Sequence, residues 1–182
     1  MAENVTKNDP VILMMPVARA ARIQNLRMLQ ASMKRGEDED VRFPLRVENQ
    51  IRTGSRLNRE VNTVIGIVGV RMLATSVEED STDNVARAVG ESEPAIEVSS
   101  EYQLTYEISD ISQFSDEQLH AFGCINGLYH AWPYWREYVQ SCIARMGLPS
   151  FIVPVLTVAE LQTMQRASDG TFSMNAATSP SE

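Results

Sequence analysis

The chain has 182 residues, 43% of them apolar, which suits one compact domain with loose ends. Its formal net charge of −8 argues against a nucleic-acid partner. Two cysteines, Cys124 and Cys142, are too few for a disulfide framework and fit small buried hydrophobes in a reducing cytosol. The apolar run Val11–Met15 is cut by Pro16, so it is too short for a signal segment or a membrane span. The expected address is cytoplasmic, with no membrane insertion.

Charge is unevenly placed. Between Glu78 and Glu117 stand twelve acids and one base, Arg87. The first part of the chain is instead rich in arginine: Arg19, Arg22, Arg27, Arg35, Arg42, Arg46, Arg52, Arg56 and Arg59. Such a dipole favours charged protein partners or self-association and says nothing about fold.

Residues 1–18 read as a flexible tail with one sticky patch, 19–167 as the folded domain, and 168–182 as a small, polar, disordered tail. From Arg19 to Arg35 the apolar residues Ile23, Leu26, Met28, Leu29 and Met33 fit neither period, and local propensity favours a helix over a strand. Residues 36–40 form a charged turn. Residues 43–52 alternate as a half-buried strand, and Thr53-Gly54-Ser55 reads as the turn that ends it. Residues 61–77 are β-branched and apolar on both faces, which predicts a central strand covered on one face by helices. An acidic loop over 78–94 leads to a second alternating strand over 95–109.

Ser115, with Gln118 three residues on, predicts a capped helix from Asp116 to about Gly127. Pro133 suits the first turn of a second helix, which Gly147 and Pro149 end. Residues 151–156 are extended and apolar around Pro154, and Thr157 caps a short helix holding Val158, Leu161 and Met164. Strands first and helices last is an α+β layout.

Catalytic signals are weak. His120 and Cys124 share a helix face at i, i+4, but a transition metal wants more ligands, so neither metal nor cofactor is expected. There is no nucleophile elbow. Gly66-Ile67-Val68-Gly69 lacks the lysine of a phosphate loop. The aromatic cluster Tyr129, Trp132, Tyr134, Trp135 and Tyr138 is the sharper feature. Packing or a subunit interface accounts for Trp135, Tyr138 and Cys142. Aromatics at the linker suit an open apolar groove, and nine methionines suit promiscuous contact.

The stretch Ile125–Tyr138, followed by Ala144–Pro149, resembles the hallmark of the SecB export chaperones. Pro133-Tyr134, Arg136-Glu137 and Pro149 match it position by position, and Val153-Pro154-Val155 resembles the family's apolar-Pro-apolar segment. The similarity spans roughly residues 20–165. It implies a four-stranded antiparallel sheet with two main helices on one face, a strand over 20–34, and assembly as a dimer of dimers. It also implies a non-enzymatic, ATP-independent holdase that grips unfolded preproteins and delivers them to SecA. The groove candidates are Leu45, Val47, Trp132, Tyr134, Phe151, Val153 and Leu156. Export-type members are acidic near the end of the first strand, where this chain has Gln30–Arg35, neutral to basic. In that respect it looks more like the divergent SecB-like chaperones tied to toxin–antitoxin modules, whose client is an antitoxin. Rival readings are a small ligand-binding or hydrolytic α+β domain using Cys124 or His120, and a purely structural oligomer.

Overall fold

The alternating segments pair into one antiparallel sheet. A computed structural model describes residues 9–36, 41, 43–76, 94–150, 152–157 and the backbone of 171–178. Its elements are α1 (Pro10–Ala20), β1 (Ala21–Arg35), β2 (Leu45–Asn58), β3 (Thr63–Ser76), β4 (Ile96–Ile108), a 3-10 turn (Ile111–Gln113), α2 (Asp116–Arg145) and β5 (Thr171–Thr178). Strands β1 to β4 form the expected four-stranded sheet, in the order β1-β4-β3-β2, and β5 extends it past β2. With its two helices this is an α+β fold. Residues 37–40 of the charged turn, residues 78–93 of the acidic loop and the short helix expected after Thr157 lie outside the described residues.

β1 is a strand, against its local helix propensity. Its register against β4 shifts between Ile23 and Asn25 and again between Met28 and Gln30. Each bulge adds one residue and breaks the period of two. Allowing for both, Ile23, Leu26, Met28 and Met33 pair with Tyr106, Leu104, Tyr102 and Val98 on a single face. Partner pairing across the sheet overrides the propensity of isolated residues.

Three expectations about boundaries are corrected. β2 runs straight through Thr53-Gly54-Ser55, in register with Val68, Ile67 and Gly66, and turns only after Asn58. The N-terminal segment read as a flexible tail contains α1. Asp9 caps it by accepting from the Val11 backbone N–H at 2.9 Å, and Val17 is fully buried. The C-terminal segment read as disordered contains β5, paired with β2.

The two helices read on either side of Pro133 are one helix of 30 residues. The capping box at its start is present, with Gln118 N–H donating to Ser115 Oγ at 3.2 Å and Ser115 N–H donating to Gln118 Oε1 at 3.0 Å. Arg59 reinforces that start, donating to the carbonyls of Ile111 and Phe114 at 3.1 Å each and pairing with Asp116. Pro133 removes the bond to the Tyr129 carbonyl. It lies on the exposed side of the helix, so water can satisfy that carbonyl, and packing on the other sides keeps the helix whole.

α2 lies on β2, β3 and β4, against Val64, Val68, Leu104 and Tyr106, and α1 packs on α2. Glycines set how near it comes. A Cβ on Gly66 would stand 2.5 Å from the Gly123 carbonyl oxygen, and one on Gly123 would stand 2.5 Å from Ser55 Cβ. Thus Gly127 does not end a helix, and Ser55 does not make a turn; both are small because backbone meets backbone here. Gly69, on the opposite face, has open space around its missing Cβ.

Two glycines three residues apart should therefore respond with opposite sign. Gly66→Ala should destabilise the fold by about 1–3 kcal/mol through overpacking. Gly69→Ala should be neutral or stabilising by up to about 1 kcal/mol. Urea denaturation midpoints measure both, and equal shifts would refute the close approach.

Candidate functional site

Gly147, at φ +69°, and Pro149 end α2 and turn the chain back. Residues 152–157, outside any helix or strand, then return along the helix. Arg136 Nε donates to the Val153 carbonyl at 2.8 Å, and Trp132 Nε1 donates to the Pro154 carbonyl at 2.9 Å. As the segment advances by one residue its partner on α2 moves back one turn, so the two run antiparallel. Pro154 offers no N–H, which suits a segment held by its carbonyls. Val153 is fully buried, while Ile152 and Val155 are 70% and 60% exposed.

The seven groove candidates separate by depth. Leu45, Val47, Trp132 and Val153 are buried in one continuous core. Leu156 is half-buried against that core. Tyr134 is 53% exposed and sits about 200° round the helix from both Trp132 and Arg136, facing away from the extended segment. Phe151 lies outside the described residues. Trp135 and Cys142 are buried in the same core, and Tyr138 is half-buried, its ring 6.3 Å from that of Trp135. Burial, then the Cys142 thiol beside it, push the Tyr138 phenol up to about 12.

Sequence reasoning missed Ile152 and Val155 as rim residues and Arg136 as an anchor. The signal for Arg136 was present: four residues after Trp132, it lies on the same helix face.

Two other features bear on function. The structure brings Ser55, His120 and Cys124 together, with Ser55 Oγ 2.7 Å from His120 Nδ1 and Cys124 Sγ 3.7 Å from His120 Nε2. Burial pushes the Cys124 thiol above its ordinary value, whereas a nucleophile needs a depressed one. Among the described residues no group of three or more His, Cys, Asp or Glu could hold a metal. Part of the charge dipole of the sequence is matched inside the sheet. Arg22 and Lys34 on β1 stand opposite Glu107 and Glu97 on β4, Arg27 Nη2 donates to Gln103 Oε1 at 3.1 Å, and Gln24 donates to Glu107. Arg71 Nε meets Glu97 Oε1 at 2.9 Å and holds that carboxyl below its ordinary value.

A four-stranded antiparallel sheet with a long helix across one face is a fold shared with a SecB-like chaperone. Among solved structures the chain is similar to the Mycobacterium tuberculosis SecB-like chaperone Rv1957, solved in complex with a ChAD peptide from the HigA1 antitoxin Rv1956. The TM-score is 0.65 at 15% identity, over 82% of this chain and 99% of that one. No protein-family model matches the sequence, and no curated protein matches it. No helix among the described residues is long and apolar enough to cross a membrane.

Arg136 gives the anchoring a direct test. A hydrogen bond from a charged donor contributes about 1.5–3 kcal/mol. Arg136→Ala should therefore raise the rate of limited proteolysis within residues 152–157 by about tenfold or more. An unchanged rate would mean that the segment is held by something else.

Proposed function

We propose that this protein is an ATP-independent holdase chaperone that binds extended, unfolded polypeptide, without catalysis and without a cofactor. The observation that carries this reading is the exposure of Ile152 and Val155 on an anchored segment, over the apolar floor of Trp132 and Val153. The likeness in fold to a SecB-like chaperone supports it. Client side chains would bury apolar area against this rim at roughly 25 cal/mol per Å². Ordering a flexible client opposes that gain, so each site is weak.

Several sites on one assembly would restore affinity through effective concentration. The proposed assembly is a homo-oligomer, a dimer of dimers. Its support on the chain is the outer edge of β1, unpaired within the described sheet, with Ile23, Met28, Leu29 and Met33 exposed nearby. Preproteins as clients, SecA as onward partner and the cytoplasm as address follow from the SecB resemblance. An antitoxin as dedicated client is the second reading. It is favoured by the neutral-to-basic end of β1 and by the antitoxin peptide that the structural neighbour binds.

Trp132 is buried and hydrogen-bonded, so its removal would confuse binding with stability. The rim is the cleaner target. Ile152→Ser with Val155→Ser should weaken binding of a permanently unfolded probe, reduced and carboxamidomethylated ribonuclease A, by about tenfold in fluorescence anisotropy. Unfolding free energy should change by less than about 0.5 kcal/mol per substitution, as expected at exposed sites. Unchanged affinity would place the client elsewhere.

A further inference from the structure

A sheet edge presents a row of unpaired N–H and C=O groups, a template for an added strand. The two edges of this sheet are treated differently. β1 leaves its outer edge unpaired among the described residues, whereas β2 is covered by the chain's own C-terminal strand. Leu45–Arg52 pair with Thr178–Thr171 in unbroken antiparallel register. That stretch of β2 contains Leu45 and Val47, which pair with Thr178 and Ala176. β5 thus runs along the strand that supplies part of the groove floor.

β5 is a weak occupant of that edge. It has 8 residues against the 14 of β2. Asn175, Ala176 and Ala177 are poor strand formers. Among the described elements its backbone lies along β2, to which the ladder ties it. A main-chain ladder is also the one interaction that any extended polypeptide can supply, whatever its sequence.

We propose that residues 171–178 are a displaceable latch, a built-in substitute for an extended client segment on the edge of β2. The proposal rests on the polypeptide-binding reading above. A client adding at β2 exchanges one antiparallel ladder for another and exposes no new backbone groups on the sheet. Because β5 belongs to the same chain, its competition is independent of protein concentration. The apparent affinity for client is lowered by the fraction of chains that are unlatched. A client with better strand-forming residues than Asn175-Ala176-Ala177 displaces β5, while weakly structured peptides do not.

The test uses the full chain. Antiparallel ladders bond alternate residues. Proline at both Met174 and Asn175 therefore removes at least one ladder donor, whichever set faces β2. M174P/N175P should bind reduced, carboxamidomethylated ribonuclease A about tenfold more tightly than the unaltered chain, the result for a latch closed in nine chains of ten. Hydrogen exchange on the unaltered chain gives a second readout that does not depend on how the variant folds. On adding the same probe, amides of 171–178 should lose protection while those of 45–52 keep theirs. Equal or weaker binding by the variant, or β5 amides still protected in the complex, overturns the latch and leaves the chaperone reading standing. Failure of both proteins to bind the probe overturns the chaperone reading, and the latch with it.

Discussion

The contact between Gly66 on β3 and Gly123 on α2 sets the geometry of the molecule. No side chain fits between the two backbones there, since a Cβ at Gly66 would stand 2.5 Å from a carbonyl oxygen. The helix is thereby held near the sheet at one end of its length. Larger residues, including Val68, Leu104, Tyr106 and Phe122, fill the space around that contact. Further along α2, Trp135, Val139, Cys142 and Ile143 continue the core. Trp132 and Arg136 then offer donors to the returning chain. Where the extended segment sits thus depends on where the helix sits, and the helix depends on two missing methyl groups.

Much of this was legible because it follows local rules. The alternation of 43–52 and 95–109 gave strands, and Ser115 with Gln118 gave the helix start. The resemblance around Pro133-Tyr134 and Arg136-Glu137 implied the layout of sheet and helices. What was not legible depended on partners distant in sequence. β1 looked aperiodic because bulges near Gln24 and Leu29 shift its register against β4. Ser55 and Gly127 looked like turn and stop, yet they are spacers at a helix–sheet contact. Pro133 looked like a helix start, yet packing on both sides carries the helix through it.

The candidate site was legible in type and not in depth. Composition singled out the aromatic residues around Trp132 and the apolar stretch around Val153. It could not say that Trp132 would be buried and bonded to the Pro154 carbonyl, with Ile152 and Val155 left exposed. Burial is set by the path of the returning chain, which no periodicity encodes. The same holds for charge. The basic residues of the first strand and the acids of β4 read as surfaces for partners, but the register places Arg22 opposite Glu107 and Lys34 opposite Glu97.

An anchored apolar segment, a β1 edge unpaired among the described residues and a β2 edge paired with β5 fit the holdase proposed above. Partial burial raises the Cys124 thiol above its ordinary value, which suits a nucleophile poorly. The direct measurement is light scattering from citrate synthase during thermal unfolding, with this protein present and nucleotide absent. The account predicts suppression of aggregation at near-stoichiometric amounts of assembled chaperone. Undiminished scattering at several-fold molar excess would contradict it.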